Sequence, residues 1–172
     1  KSLTEVSVNS VVTEISDYVF SGCSSLKSFT IPDGVTSIGK EAFKSCSALS
    51  EISIPGSVKT IGKGAYEGCS NLGKVTLSKG LESIEDKAFA SCIKLPIVLI
   101  PSTITYIGDD AFYDCAIMTE IIIDKEDYMD VPAAIPWGAY EFYDKALKSR
   151  SCKPYVFTLK NLQGVVIFIF NP

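Results

Sequence analysis

Histidine is missing from all 172 residues. Its absence removes the side chain that most often acts as general base near neutral pH, the Ser-His and Cys-His dyads, and the commonest zinc ligand. Cationic excess is missing too: 16 Lys and Arg stand against 20 Asp and Glu, a net charge of −4, which argues against a nucleic-acid or anionic-membrane surface. No apolar run exceeds Val165 to Phe170, far short of the ~20 residues a membrane-spanning helix needs. No phosphate-loop pattern occurs, and no two of the six cysteines are close enough in sequence for a paired zinc-ligand spacing. What remains is a chain that is 47% hydrophobic and 21% charged, enough for one continuous core with a soluble surface.

The cysteines carry the strongest signal. Cys23, Cys46, Cys69, Cys92 and Cys115 follow one another at a constant interval of 23 residues, and their surroundings repeat with them. Val12, Val35, Val58, Leu81 and Ile104 open successive units, followed three residues later by Ile15, Ile38, Ile61, Ile84 and Ile107. A small or β-branched residue and an aromatic come next: Val19-Phe20, Ala42-Phe43, Ala65-Tyr66, Ala88-Phe89 and Ala111-Phe112. After each cysteine stand Leu26, Leu49, Leu72, Leu95 or Met118, then an apolar pair spaced by two, such as Ile52 with Ile54 or Val75 with Leu77. That last portion is L-x-x-L-x-L, whose period-two alternation predicts a short strand. One unit cannot bury its apolar face alone; stacking brings like residues into register about 4.8 Å apart and supplies backbone partners between units.

Segments such as 35–55 and 58–78, with the spacing I-G-x-x-A-F-x-x-C-x-x-L, resemble the BspA-type leucine-rich repeats over residues 1–124. Ser16 and Glu85 stand where that pattern has Gly, and Tyr66 where it has Phe. The expected fold class is α/β: a right-handed leucine-rich-repeat solenoid of 23-residue units, with short parallel strands on one side, short helices or turns on the other, and an atypical C-terminal capping unit. The resemblance implies an extracellular adhesion or binding module of a cell-surface or secreted protein, with no catalytic chemistry; members of the family bind host matrix proteins. The alternative is an intracellular scaffold or secreted effector using the same surface, a reading kept open by a thiol-rich core without a disulfide pattern.

Domain organisation follows the period. Residues 1–11 form a partial first unit, because Leu3, Val6 and Val8 sit 23 positions before Leu26, Phe29 and Ile31, and five full units run to residue 124. The array is therefore expected to begin before Lys1, which deprives the lack of a signal peptide of meaning. Residues 125–172 depart from the period. The favoured reading is a degenerate sixth unit in which Leu162, Val165 and Ile167 reproduce L-x-x-L-x-L after a helical insertion, with an amphipathic helix over Ala134 to Leu147. The competing reading is a small separate domain ending in a β-hairpin around Asn161 to Gly164.

No catalytic, cofactor or metal site is expected. Five cysteines on one rung position have parallel Cβ vectors, a poor geometry for bridging, and read as a buried thiol ladder; Cys152, outside it, is the one candidate for an exposed thiol. The acidic pairs Glu85-Asp86 and Asp109-Asp110 read as caps of helix starts, Gly39, Gly62 and Gly108 as turn glycines, and the repeated aromatics as core. Function is left to the outward positions of the strand face, usually the concave surface of such a solenoid. The candidate partner-binding residues are Glu51, Ser53, Lys74, Thr76, Ile97, Leu99, Glu120 and Ile122. The first four are polar, and Ile97, Leu99 and Ile122 form an apolar strip that Val166 and Phe168 would extend. Either residues 125–160 fold back over that strip, or it docks a protein partner or a second copy of the chain. A protein ligand is expected, a glycan less so, because the face has no aromatic before Phe168.

Overall fold

The computed structural model describes residues 3–8, 11–124, 156–161 and 164–169. The repeat becomes a parallel-strand solenoid in which each 23-residue coil carries two short strands. One stack holds β1 (Glu14–Ile15), β2 (Ser37–Ile38), β4 (Thr60–Ile61), β6 (Ser83–Ile84) and β8 (Tyr106–Ile107), joined as one five-stranded parallel sheet. The other holds β3 (Glu51–Ile54), β5 (Lys74–Leu77), β7 (Ile97–Ile100) and β9 (Glu120–Asp124), continued by β10 (Val156–Asn161) and β11 (Gly164–Ile169). Up to β9 every register partner is the residue one repeat away: Ile15 faces Ile38, Glu51 faces Lys74, and Ile97 faces Glu120.

Period-two burial in β3, β5 and β7 turns one residue of each pair inward and the next outward. The inward set merges with the repeated Val, Ala, aromatic, Cys and Leu positions into one core running from Ile15 to Ile121. Within it Phe43, Tyr66, Phe89 and Phe112 stack in parallel, with centroids 5.1, 5.2 and 5.5 Å apart and planes within 4°. Translational symmetry imposes this parallel stack, and the separations lie within the 4.5–7 Å range that aromatic pairs favour.

No helix occurs among the described residues; the segment opposite the strands is a run of turns. Its backbone shows why. The N–H groups of Tyr18, Phe20 and Gly22 reach the carbonyls of Lys40, Ala42 and Lys44 in the next coil at 2.9, 2.8 and 2.7 Å, whereas those of Ser21 and Cys23 bond locally to Tyr18 and Phe20. Alternation between coil-to-coil and local bonds is incompatible with a continuous i→i−4 ladder. It requires a left-handed residue twice per coil, at 18, 41, 64, 87 and 110 and again at 22, 45, 68, 91 and 114. Seven of these ten are not glycine, each at a cost of about 1–2 kcal/mol that the coil-to-coil bonds must offset.

The acidic caps are accordingly corrected: Asp86 Oδ1 accepts the backbone N–H of Asp109 in the following coil at 3.0 Å, and Asp17 Oδ1 that of Lys40 at 2.7 Å, so these carboxylates cap turns rather than helices. Gly62 is likewise a close-approach glycine more than a turn glycine. A Cβ there would lie 2.8 Å from the Gly39 carbonyl carbon and from Ile38 O of the preceding coil.

The strand face is divided. No ladder joins β5 to β7, so β3–β5 forms one sheet and β7–β9–β10–β11 another. Elsewhere, residues flanking these strands donate to the preceding coil: Gly73 N–H to Ser50 O at 2.9 Å, Thr119 N–H to Pro96 O at 2.9 Å, Ser78 N–H to Ile54 O at 3.1 Å. At the equivalent points on either side of β7 stand Pro96 and Pro101, which have no N–H to give.

At the C-terminal end the register differs from the repeat-phase expectation. The strand that stacks in parallel on β9 is Val156–Asn161, with Thr158 opposite Ile122, and Gly164–Ile169 returns antiparallel to it, with Asn161 opposite Gly164. Val166 thus pairs with Leu159, in the register row of Ile123 and Ile100, whereas Ile167 occupies the row of Ile122 and Leu99. The expected continuation of the strip through Val166 and Phe168 is corrected to Ile167 and Ile169, because the hairpin shifts the phase by one residue. The helix expected over Ala134 to Leu147, the proposed cover and Cys152 lie outside the described residues.

Candidate binding face

Outward positions of β3 and β5 place Glu51, Ser53, Lys74 and Thr76 together, all exposed. With Ser28, Thr30, Asp33 and Pro55 they border a groove of about 480 Å³ floored by Phe29, Ile31 and Ile52. Four hydroxyls, two carboxylates and one ammonium thus line a shallow channel over an apolar floor. Glu51 and Lys74 are register partners, yet no ion pair joins them. The inter-coil ion pairs found among the described residues lie elsewhere: Lys44 to Glu67 at 3.1 Å, Lys59 to Glu82 at 3.0 Å, and Lys63 to Asp86 at 3.1 Å. Asp33 and Pro55 were missed by the strand pattern because they belong to the turns that follow it.

Across the β5/β7 break the character changes. Ile97 and Leu99 are 44% and 48% exposed, and Ile122, beside Leu99, is half-buried. Glu120 is the register partner of Ile97. The eight candidate residues therefore form two patches, a polar one on β3–β5 and an apolar one on β7–β9, rather than a single surface.

Chemistry is concentrated in the core, where it is shielded. The thiols of Cys46, Cys69, Cys92 and Cys115 donate to the carbonyls of Phe20, Phe43, Tyr66 and Phe89 at 3.1 to 3.3 Å, each reaching 26 residues back. All five ladder cysteines are buried, and none is in a disulfide. Burial pushes the Cys46 thiol up to about 11, and those of Cys69 and Cys92 further still, so at neutral pH these sulfurs are protonated and poor nucleophiles. Among the described residues no group of His, Cys, Asp and Glu is arranged to hold a metal ion. No helix among them is long and apolar enough to cross a membrane.

Stacked 23-residue coils and a repeated L-x-x-L-x-L strand define a leucine-rich-repeat protein. The chain belongs to the BspA type leucine rich repeat family, whose model matches residues 1–119 in six copies. Solved structures agree. A Treponema pallidum leucine rich repeat protein is 32% identical with a TM-score of 0.64, over 64% of this chain and 52% of its own. The pneumococcal vaccine antigen PcpA is 27% identical with a TM-score of 0.58, over 66% and 29%. A leucine rich cell surface protein from Faecalibacterium prausnitzii is 31% identical with a TM-score of 0.52, over 71% and 39%. The chain thus spans about half the length of the first of these and less of the others. No curated protein matches it.

Proposed function

We propose that this chain is a non-catalytic protein-interaction module, displayed at the cell surface or secreted, that binds a protein ligand through the polar groove of β3 and β5. The observation that carries this reading is the pair Glu51 and Lys74, adjacent in register and exposed, with no ion pair between them. Opposite charges left unpaired beside four hydroxyls suit a polypeptide segment carrying both charge signs and backbone amides, and exposed charges of this kind contribute chiefly specificity and association rate. The apolar floor at Phe29 and Ile52 offers a place for one side chain of the ligand. Similarity to a bacterial cell surface protein supports the location.

The test is capture from an extracellular-matrix preparation by the immobilised chain, compared with a variant carrying Glu51→Ala and Lys74→Ala. The native chain should retain a discrete ligand and the variant should lose most of it. Equal recovery removes the polar face from the reading.

A further inference from the structure

The step from β5 to β7 differs from the other steps of the array. No ladder joins the two strands, and positions 96 and 101, which flank β7, are both proline. At 27 and 32, 50 and 55, 73 and 78, and 119 and 124, at least one residue of each pair keeps an N–H. Burial of the inward side chains follows the same division. Val75 and Leu77 on β5 remain 8% and 7% exposed, against 3% and 0% for Ile52 and Ile54 and 0% and 1% for Val98 and Ile100. Among these three strands the core is least sealed at β5.

Away from the strand face the same step is closely tied. β4 and β6 are paired, Thr60 with Ser83 and Ile61 with Ile84, and beside them Lys59 reaches Glu82 at 3.0 Å and Lys63 reaches Asp86 at 3.1 Å. In the turns the N–H groups of Gly64, Tyr66 and Gly68 donate to the carbonyls of Asp86, Ala88 and Ala90 at 2.8, 2.7 and 2.8 Å. The ring stack is closed there as well, with Tyr66 and Phe89 5.2 Å apart. Near the strand face the step is spanned by side-chain bonds: Lys94 Nζ donates to Asn71 Oδ1 at 2.7 Å, and Thr103 Oγ1 accepts the N–H of Gly80 at 3.0 Å. Directional backbone bonds thus hold one side of the step, while β5 and β7 meet through apolar contact, which has no preferred direction.

We propose that this step is a hinge, and that residues 12–80 and 81–124 move as two bodies about the β4–β6 pairing, opening and closing the seam between β5 and β7. Hinge bending concentrates the change in a few residues at element ends, and the chain crosses the step once, through residues 78–82, which lead directly into β6 beside the axis. With the two strand stacks about 10 Å apart across the core, a tilt of about 10° parts β5 from β7 by about 2 Å. Lys74 and Thr76 stand on one side of the seam and Ile97 and Leu99 on the other, so the hinge angle sets how far the polar patch lies from the apolar one. A ligand that touches both selects one angle. The hinge belongs to the scaffold and does not depend on which ligand the polar groove takes.

Residual dipolar couplings of the backbone amides, measured on the full isotope-labelled chain in a weakly aligning medium, read the hinge directly. Couplings from residues 12–80 and from residues 81–119 should each fit one alignment tensor, the two tensors should differ in magnitude, and a joint fit should lose agreement. Pro96→Thr combined with Pro101→Ser restores both flanking donors and should bring the two tensors together. Pro55→Ser, which adds a donor at a different step, should leave their difference unchanged. A single tensor that fits the whole native array overturns the proposal. So does a division of the couplings anywhere other than between β5 and β7, or a difference that persists undiminished in the double proline variant.

Discussion

The thiol of Cys69 donates to the main-chain carbonyl of Phe43 at 3.1 Å, joining two coils through the middle of the core. The contact gives a sulfur something an alanine could not supply: the carbonyl of Phe43 already accepts the amide of Cys46 at 3.1 Å, and the thiol of the next coil fills its second acceptor position. Cys69→Ala leaves Phe43 O with the Cys46 amide alone, removes the inter-coil bond and opens a gap the size of the sulfur. The expected loss is about 1–3 kcal/mol, read as a lower urea midpoint by far-UV circular dichroism. An unchanged midpoint would mean that the thiol serves as filler alone.

Alkali should weaken the fold through the same ladder. The Cys46 thiol is raised from an ordinary 9.0 to about 11, chiefly by burial and secondarily by Cys23, and Cys69 and Cys92 are raised further, again chiefly by burial. The folded chain therefore keeps protons that the unfolded chain releases. Stability from this source is complete below pH 9 and declines as pH climbs toward 11 for Cys46 and past it for the other two. Each such group steepens the decline by about 1.4 kcal/mol per pH unit. Cys69→Val should remove one proton's worth of that slope, measured by urea melts between pH 9 and 10.5. Parallel pH profiles for the two proteins would contradict the account.

Tyr66 occupies a ladder otherwise made of phenylalanine, and its hydroxyl is fully buried without a hydrogen-bond partner among the described residues. Burial drives its ionisation far above the usual tyrosine range, with the neighbouring thiols of Cys69, Cys46 and Cys92 adding to the shift. An orphaned hydroxyl costs free energy that a phenyl ring does not incur. Tyr66→Phe should therefore stabilise the chain by about 1 kcal/mol, raising the urea midpoint while the stack with Phe43 and Phe89 is kept. A lowered midpoint would show that the hydroxyl is satisfied.

How far the sequence reveals the molecule depends on which interaction sets each feature. The 23-residue interval shows directly which residues stack, since translational repetition makes Phe43, Tyr66 and Phe89 equivalent before any coordinate is known. It also separates inward from outward positions on β3, β5 and β7, which is why Glu51, Ser53, Lys74 and Thr76 are found on one patch. The turns are less legible. Ala42-Phe43 and the following cysteine have helical spacing, and Glu41, Lys87 and Tyr18 do not advertise the left-handed backbone they adopt, because coil-to-coil hydrogen bonds, a tertiary term, impose it. The shift at β10 and β11 is illegible for a related reason: once the chain leaves the period, register is set by the hairpin at Asn161 and Gly164. The division of the binding face could have been read from Pro96 and Pro101, whose lack of an N–H is a property of the sequence alone.

That division yields a test of its own. In the ladder flanking the strand face, Gly73 donates to Ser50 and Thr119 donates to Pro96, each at 2.9 Å, while the step from residue 96 back to Gly73 is missing. Pro96→Thr gives this coil the residue that the next coil has at Thr119 and restores the donor. The new amide should form the same bond to Gly73 O and exchange with deuterium as slowly as the amides of Gly73 and Thr119, which would extend β3–β5 toward β7. Stability should change little, because the hydrogen bond gained, about 1 kcal/mol, is offset by the greater conformational freedom of the unfolded chain without proline. Rapid exchange at position 96 would place the cause of the break in the packing of β7 rather than in the missing N–H.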